Sequence, residues 1–498
     1  MNHKSDRKKI LLVFPGMPAT QIQQRILINL PLSILQLGSY IGERGFEVVL
    51  FDTRVQSYEE IQDKLDDCVA AGFSCMTGLQ IKYALELATK LRKEHPHLPL
   101  IWGGIHPTLY PEQTATHDLV DFVVMGEGEE TLFELLEVIT TESGNYQHIE
   151  GICYKNKKKI IRNAKRLFLD MEKLPLPAYH LLDLKKYKNI LNTFDYQSSR
   201  GCPYRCAFCY NTNFNERKYR AKSAEKVVAE IKYLVDKFKV KMFSFNDDEF
   251  FIQQDRVEKI CDLVKDNNVI FQWNASCRLN IIRKYPNSLM QKILISGCNK
   301  INFGAESGSS RILKFICKDI TTEDITEGTR HTIANGITPV LSFMGGFPSE
   351  TYNETLMTKD IITKLWEIDP QIIVNGIFIY NAYPGTALFE ESIKYGVVFP
   401  QTVEQWGGWI FKYDADYKWI TARHRRLLRV LFFIVRLDFY LKELQVRHGY
   451  SKLFKCFVHF CMLPWTLSGK LRWKYNFFSC PVEWNLWAFI MRKVFGFI

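Results

Sequence analysis

The most informative stretch of the sequence is Gly-Cys-Pro-Tyr-Arg-Cys-Ala-Phe-Cys, residues 201–209. It places three thiols, Cys202, Cys206 and Cys209, within eight residues, and the strands predicted around it define the fold. Iron–sulfur clusters are held by Cys thiolates, and a tight loop can place three of them on three corners of a cubic [4Fe-4S] cluster. The fourth iron then lacks a local ligand, and catalysis requires such an open metal position. Structural zinc is the alternative, but it usually needs paired Cys-x2-Cys motifs or a nearby histidine.

The loop follows directly on an apolar run, Tyr196–Ser199, which we predict as the first strand of a domain. Five further strand candidates alternate with helical stretches up to about residue 400. They are Lys241–Phe245, Phe271–Ser276, Lys300–Phe303, Thr338–Phe343 and Ile372–Ile379. Six strand–helix units predict an incomplete (βα)6 barrel over residues 192–400, with its functional loops at the carboxyl ends of the strands.

Ahead of the barrel, residues 1–150 also alternate short apolar runs with helical stretches. The predicted strands are Ile10–Phe14, Phe46–Phe51, Val69–Ser74, Leu100–Trp102 and Phe122–Met125. The predicted helices are Leu32–Arg44, Leu79–Glu94 and Glu129–Ile139. This pattern is typical of an α/β domain with a doubly wound parallel sheet. Residues 151–191 are predicted as a linker, with a small hairpin over Gly151–Arg166 and a Leu-Pro-Leu-Pro stretch at 174–177 that cannot continue a helix or a central strand.

Residues 401–498 form a third, mostly helical module that is aromatic and basic. It holds seven of the ten Trp residues and 16 Lys/Arg against 6 Asp/Glu, so it carries almost all of the net charge of +11. No signal peptide opens the chain, and thirteen cysteines without an export signal argue against a disulfide framework. We therefore expect a cytoplasmic protein with reduced thiols or metal ligands.

The Cys-x3-Cys-x2-Cys spacing, with the aromatic Phe208 just before the last cysteine, resembles the signature of radical S-adenosylmethionine (SAM) enzymes. The resemblance implies that the three cysteines hold a [4Fe-4S] cluster whose open iron binds SAM. It also implies that one electron cleaves SAM to a 5′-deoxyadenosyl radical, which abstracts hydrogen from a substrate. A low-potential donor such as flavodoxin or ferredoxin would supply that electron.

Four loops at predicted strand ends resemble the SAM-binding loops of this family. They lie at 246–250, 304–308, 345–350 and 383–386. Each alone is more often an ordinary turn, but their order matches that of the strands. The resemblance implies that Asp247 or Asp248 holds the SAM amino group and that Glu306 contacts its ribose or carboxylate. The SAM contacts implied in full are Phe208, Asp247, Asp248, Glu306, Gly345, Gly346, Tyr383 and Pro384.

The segments 103–107 and 121–129 of the first domain resemble the cobalamin-binding domain of the B12-dependent radical SAM subfamily. The residues that the resemblance places at cobalamin are Gly103, Gly104, His106, Gly126, Glu127, Gly128 and Glu129. No Asp-x-His-x-x-Gly stands in this region, so we expect cobalamin without a protein histidine on cobalt. His106 is a weak candidate for a cobalt ligand. A structural role, in which its ring is hydrogen-bonded within the fold, is the favoured interpretation. A degenerate domain without cobalamin is the alternative.

The third module has two interpretations. Its basic, apolar segments, such as Arg425–Leu437, form either a helical lid over the barrel mouth or an interfacial surface that rests on anionic lipid and admits a lipid-like substrate. The second would place the protein peripherally at the inner membrane face. Nothing in the sequence resembles a nucleic-acid-reading module, so we expect no nucleic acid partner.

The resemblance implies a radical SAM enzyme that uses cobalamin for methyl transfer to an unactivated carbon of a small-molecule or lipid-like substrate. Relatives with this layout also catalyse radical ring formation, as in the anaerobic magnesium-protoporphyrin cyclase, and that outcome stays open. A non-catalytic cobalamin or Fe–S binding protein is the third hypothesis. No catalytic side chain beyond the cluster ligands can be assigned.

Overall fold

The computed structural model describes residues 8–18, 28–187, 193–409, 417–446 and 451–495. Two large sheets, a small two-stranded sheet and a helical carboxy-terminal module make up this part of the chain. The first sheet has the strand order β2-β1-β3-β4-β5-β6-β7. Its strands are β1 Lys9–Phe14, β2 Glu47–Asp52, β3 Cys68–Ser74, β4 Leu100–Gly103, β5 Phe122–Val124, β6 Ile152–Asn156 and β7 Lys159–Arg162. Its helices are α1 Leu32–Gly42, α2 Leu79–Glu94, α3 Ile105–Leu109, α4 Pro111–Ala115 and α5 Glu129–Thr141.

Strands β1 to β5 are parallel and are covered on both faces, which explains their unbroken apolar runs. In β1, Ile10 and Leu12 belong to one core while Leu11 and Val13 belong to the other. Helices α1 and α5 cover the first face, and α2 covers the second. The doubly wound α/β sheet predicted for this domain is therefore confirmed.

The hairpin β6–β7, which the prediction assigned to the linker, joins the first sheet. It pairs antiparallel with β5 and extends the sheet to Arg162. Its side chains continue both cores, since Ile152 packs on one face and Cys153 on the other. The exposed lysines of its turn are typical of a surface loop, so the sequence did not indicate that β6 pairs with β5.

The second sheet is an open barrel of six parallel strands in the order β8-β11-β12-β13-β14-β15. The strands are β8 Phe194–Tyr196, β11 Met242–Phe245, β12 Gln272–Cys277, β13 Cys298–Glu306, β14 Thr338–Gly345 and β15 Ile373–Ile379. The predicted partial barrel is confirmed. Its first strand ends earlier than predicted, because Ser199–Arg200 (β9) leaves the barrel and pairs antiparallel with Arg220–Ala221 (β10).

Helices follow the barrel strands and pack around them. They are α6 Asn211–Phe214, α7 Ala224–Phe238, α8 Gln254–Asp266, α9 Leu279–Ile282, α10 Asn287–Ile295, α11 Ser310–Phe315, α12 Thr322–Ala334, α13 Tyr352–Ile368 and α14 Ala387–Lys394. Capping boxes begin α12 and α13, where a threonine and an acidic residue three positions on satisfy each other's backbone N–H groups. Most barrel strands therefore stand against an amphipathic helix.

The third module is helical, as predicted. Its helices are α15 Val403–Gly407, α16 Ala422–Val446, α17 Lys452–Tyr475 and α18 Val482–Phe495. Helix α16 packs along β15 and buries Leu427, Val430 and Leu431 in the barrel core. Among the described helices, none is both long and apolar enough to cross a membrane.

Candidate active site

The cysteine loop is fixed at its base by the two acidic residues that follow β11. Asp247 accepts hydrogen bonds from the Ser198 backbone (2.7 Å) and from the hydroxyls of Ser198 (2.5 Å) and Ser199 (2.7 Å). Asp248 accepts from the Gly201 backbone (2.8 Å). Gly201 has φ +82°, and a Cβ there would lie 2.0 Å from a backbone oxygen, so the entry to the loop requires glycine.

These contacts separate the two carboxylates that the sequence offered for the SAM amino group. Asp247 is buried and already accepts three hydrogen bonds. Asp248 also contacts the Tyr210 hydroxyl (3.3 Å) and lines a cavity, and burial raises the pKa of its carboxyl. SAM contact by either residue stays a prediction, and Asp248 is the better placed of the two.

The three thiols differ in their surroundings. Cys206 is buried and accepts a hydrogen bond from the Arg278 guanidinium (3.3 Å), which also stacks on the Tyr204 ring (3.8 Å from its centroid). Burial raises the pKa of Cys202 to about 11 and that of Cys209 to about 12. Metal ligands must be thiolates, so these sites favour a positively charged partner that offsets the cost of burial.

The chemistry of the donor set, three thiols on one loop, fits a [4Fe-4S] cluster. Within the described ranges, no three His, Cys, Asp or Glu side chains are arranged to hold one metal ion. A [4Fe-4S] cluster binds each thiolate at a different iron, so its ligands stand further apart than those of zinc. Cys202, Cys206 and Cys209 lie on one loop, and the Arg278 guanidinium lies against the sulfur of Cys206.

A buried group of charges inside the barrel was not predicted. Lys318 donates to Glu306 Oε1 (2.8 Å), and both side chains are buried. A Cβ on Gly304 would lie 2.3 Å from Glu306 Oε1, so this glycine makes room for the ion pair. Glu249 is also buried, which raises its pKa to about 8, although Arg278 and Lys318 partly offset the effect. Ribose contact by Glu306 stays a prediction.

No motif in the sequence indicated that Arg278 and Lys318 belong to the site. Both are single basic residues in stretches without a motif, and they come together because the Arg278 guanidinium also donates to the Lys318 carbonyl. The Gly304 position is the one clue, since a glycine within a strand often marks close approach of another group.

The other two predicted SAM loops lie under the third module and against the first domain. A Cβ on Gly345 would lie 2.6 Å from Leu428 on α16, and Trp419 Nε1 donates to the Gly346 carbonyl (3.0 Å). The Tyr383 ring stands 6.4 Å from that of Tyr210. The remaining predicted contacts in this area are Pro384, which is buried, and Phe208, whose ring is 6.4 Å from that of Phe347. Their contact with SAM stays a prediction.

A cavity of about 460 Å³ lies between the first domain and the barrel. It is lined by six of the seven residues predicted at cobalamin: Gly103, Gly104, Gly126, Glu127, Gly128 and Glu129. On the barrel side it is lined by Gln197, Arg200, Tyr210, Phe214, Asn215, Asn246 and Asp248. No atom lies within 4 Å of a Cβ placed on Gly126, so the backbone there is open to a bound group. These surroundings fit a large, flat cofactor between the two domains.

The seventh predicted residue, His106, lies away from this cavity. It is buried, its Nδ1 is 2.9 Å from the Thr77 hydroxyl, and its ring packs 5.3 Å from that of Trp406. Burial lowers its pKa to about 3, so the ring is neutral. Trp406 Nε1 in turn donates to Gln113 (2.7 Å), 293 residues earlier. His106 is thus packed and hydrogen-bonded within the fold, and no histidine is among the described residues lining the cavity. Its contact with cobalamin stays a prediction.

The acidic residues of the cavity rim tie the first domain to the cysteine loop. Arg200, directly before Gly201, donates to Glu127 (2.9 Å) and to Glu129 (2.7 Å). Arg220 donates to both Glu127 oxygens (2.9 and 2.8 Å). Both glutamates are almost fully buried. The arginines therefore hold the first-domain rim of the cavity against the cysteine loop. Cobalamin contact by the glutamates stays a prediction.

Comparison with known proteins agrees with this geometry. Residues 196–362 match the model of the radical SAM superfamily, and residues 23–136 match that of the B12 binding domain. An uncharacterized methyltransferase of Pyrococcus horikoshii is 30% identical over 394 residues, which cover 77% of this chain and 83% of that protein.

Two further comparisons extend this result. The anaerobic magnesium-protoporphyrin IX monomethyl ester cyclase of Rubrivivax gelatinosus is 25% identical over 379 residues, covering 72% of this chain and 66% of the cyclase. The solved structure of the cobalamin-dependent S-adenosylmethionine radical enzyme OxsB with aqua-cobalamin bound has the same fold. Its TM-score is 0.74 at 18% identity, with 98% of this chain and 75% of that one covered.

The two matched domains confirm the expected cofactors, which are a [4Fe-4S] cluster, SAM and cobalamin. They coincide with the two sides of the cavity, since the B12-binding match ends just after the glycine-rich rim and the radical SAM match begins just before the cysteine loop. The chain therefore belongs to the cobalamin-dependent, B12-binding family of radical SAM enzymes.

Proposed function

We propose that the enzyme transfers a methyl group from SAM to an unactivated carbon of a small-molecule substrate. The observation that carries this proposal is the single cavity, because residues of the cobalamin-side loops and residues next to the cysteine loop line the same space. A methyl donor and a substrate radical must meet at close range, and one shared space allows that.

The residues divide the task. When bound, the cofactors supply the reducing electron, the abstracting radical and the methyl group. Cys202, Cys206 and Cys209 hold the cluster, while Asp247 and Asp248 fix the loop that carries them. Arg200, Glu127 and Glu129 keep the first domain against that loop at the rim of the cavity.

The proposal also covers the electron donor and the class of substrate. The reductant is a low-potential donor such as flavodoxin or ferredoxin, because the cluster accepts one electron per SAM cleaved. A lipid-like substrate is part of the same proposal, and it is the basic, apolar character of the third module that supports it. Radical ring formation remains the second candidate, since a cyclase shares this layout.

The test is anaerobic reconstitution with iron, sulfide and cobalamin, followed by reduction with SAM present. We expect release of 5′-deoxyadenosine, and of S-adenosylhomocysteine up to one per bound cobalamin, because reduced cobalamin would be the one methyl acceptor in an assay without substrate. A Cys202→Ala, Cys206→Ala, Cys209→Ala variant should release no 5′-deoxyadenosine, because the cluster has lost its ligands.

The matched control replaces three cysteines outside the loop, Cys68→Ala, Cys456→Ala and Cys480→Ala, and should keep the activity. Release of 5′-deoxyadenosine without S-adenosylhomocysteine would contradict methyl transfer and favour the cyclase-type reaction. No release of 5′-deoxyadenosine from a parent with a full cluster would contradict the radical mechanism for this chain.

A further inference from the structure

Helix α17 has two opposite apolar faces, and one of them packs on the rest of the protein. Trp473 Nε1 donates to the Thr363 hydroxyl on α13 (2.9 Å), and the Trp473 ring lies 5.1 Å from that of Trp366. A Cβ on Gly469 would lie 3.4 Å from Trp484. Packing on the rest of the protein therefore buries Gly469 and Trp473 on this inner face.

The other face, here called the outer stripe, has no such cover. It consists of Leu453, Phe457, Phe460, Pro464, Leu467, Leu471 and Tyr475. Successive members are three or four residues apart, so they fall within a sector of about 80° on a helix with 3.6 residues per turn. Exposure is high along it, with 84% for Leu453, 75% for Phe460 and 66% for Tyr475. The stripe runs the whole length of α17, about 36 Å at 1.5 Å per residue.

The charges around the outer stripe have one sign. Lys452, Lys470 and Lys474 are exposed beside it, and α17 contains no Asp or Glu. From residue 451 to the end, the sequence has seven Lys/Arg and one acidic residue, Glu483. That carboxylate accepts hydrogen bonds from Arg472 and from the Ser468 hydroxyl (2.6 Å), so it does not oppose the lysines.

The exposed apolar surface continues onto α18. Val482, Leu486 and Phe489 are exposed there by 71%, 53% and 59%. The two helices are joined by Trp465, whose Nε1 donates to the Glu483 carbonyl (3.0 Å) and whose ring lies 5.5 Å from that of Trp487. Two connected helices thus expose apolar residues at helical spacing, and exposed apolar surface of this extent marks an interaction site.

We propose that the outer stripe lies on the surface of an anionic lipid bilayer. Leucine and aromatic side chains would enter the boundary between headgroups and acyl chains, while the three lysines contact the headgroups. A second copy of the chain fits less well, because self-association would bring like-charged lysine rows together. Nucleic acid would use the lysines but leave the apolar residues in water.

The test is co-sedimentation of the purified full chain with vesicles of phosphatidylcholine alone or with 30% phosphatidylserine. We expect binding to the anionic vesicles that weakens in high salt. Lys452→Gln, Lys470→Gln, Lys474→Gln should weaken that binding about 100-fold, at roughly fivefold per lysine. The matched control, Lys157→Gln, Lys158→Gln, Lys159→Gln, removes the same charge from the exposed β6–β7 turn and should leave binding unchanged.

A second pair of variants tests the apolar part. Leu453→Ser, Phe460→Ser, Leu467→Ser should abolish sedimentation with anionic vesicles, whereas Ile270→Ser, Ile295→Ser, Val398→Ser, also exposed, should not. Circular dichroism checks that each variant is folded. No binding by the parent, or equal binding by parent and stripe variants, would overturn the proposal. So would a concentration-dependent dimer, or binding to poly(U) RNA, that the stripe substitutions remove. None of these measurements depends on catalytic activity.

Discussion

Two regions of the molecule place residues contrary to their usual preference for water or for the interior. They are the junction, where Arg200 meets Glu127 and Glu129, and the outer stripe of α17. At the junction, Arg200 and two glutamates are buried between the first domain and the barrel. On α17, leucine and phenylalanine side chains face solvent over the full helix. Charges normally stay in water and large apolar side chains normally leave it. Each reversal therefore calls for a compensating partner.

The two regions differ in where that partner is. Burial of a charge is compensated within the fold, because both buried carboxylates at the junction accept hydrogen bonds from a guanidinium. Exposure of the stripe is compensated by nothing among the described residues, so its partner lies outside the chain. Buried charges that pair within the fold indicate that they position one domain against the other. Exposed apolar residues without a partner among the described residues indicate a surface that binds another molecule.

The largest expected effect comes from breaking the junction. Arg200→Met leaves Glu129 buried without its cation, and loss of one partner of a buried ion pair typically costs about 3–5 kcal/mol. The free energy of unfolding, measured by urea titration of the full chain, should fall by at least about 3 kcal/mol. Adding Glu129→Gln should restore most of it, because Glu127 keeps Arg220.

Arg330→Met is the control for this change, since Arg330 forms an exposed pair with Glu327 on one helix. Its loss should cost less than about 0.5 kcal/mol. Equal effects of the two substitutions would mean that the buried junction contributes no more than a surface pair.

Glu350 is a buried carboxylate of another kind, because its hydrogen bonds come from uncharged groups. Glu350 accepts hydrogen bonds from the Phe347 backbone (3.0 Å) and the Thr355 hydroxyl (2.9 Å), which also contacts His424 (2.7 Å). Burial raises the pKa of Glu350 to about 7. In contrast, Arg200 and Arg220 outweigh burial and hold the pKa of Glu127 below its usual value.

The pH dependence follows from the raised pKa of Glu350. The folded state keeps the proton that the unfolded state releases, so this stabilising contribution is present at low pH and is lost as pH rises from about 4.5 to about 7. Between pH 5.5 and 8.5 the parent should lose about 2 kcal/mol more stability than Glu350→Gln. Urea titrations at both pH values measure this, with the exposed Glu137→Gln as control; parallel losses in all three proteins would contradict it.

The smallest expected effect is at the outer stripe. Leu467→Ser and Leu471→Ser should change the free energy of unfolding by less than about 0.5 kcal/mol, because both side chains are already largely in water. A loss above about 2 kcal/mol, of the size expected for core leucines, would show that the stripe is packed in solution. Leu427→Ser, fully buried on α16, is the positive control.

Much of the fold could be predicted because parallel strands buried on both faces leave long apolar runs, as in Ile10–Phe14 and Ile372–Ile379. The cysteine loop could be predicted because its ligands are adjacent in sequence. Errors arose where short strands pair at a distance. Ser199–Arg200 pairs with Arg220–Ala221 instead of continuing β8, and β6–β7 joins the first sheet.

The charged parts of the site could not be predicted for the same reason. Glu127 and Glu129 drew attention as part of a glycine-rich loop, but nothing in the sequence matches them with Arg200, 71 or more residues away. Arg278 and Lys318 have no local pattern. Such pairs depend on which loops the folded chain brings together, and a single sequence does not record that.

The contact between Gln113 and Trp406 has a consequence for the order of events during synthesis. These residues are 293 apart, so at 5–20 residues per second a ribosome needs about 15 to 60 s to deliver the second after the first. The first sheet is complete at Arg162, long before that. During the interval the face that later receives Trp406, with His106 and Tyr110, stays uncovered on the nascent chain.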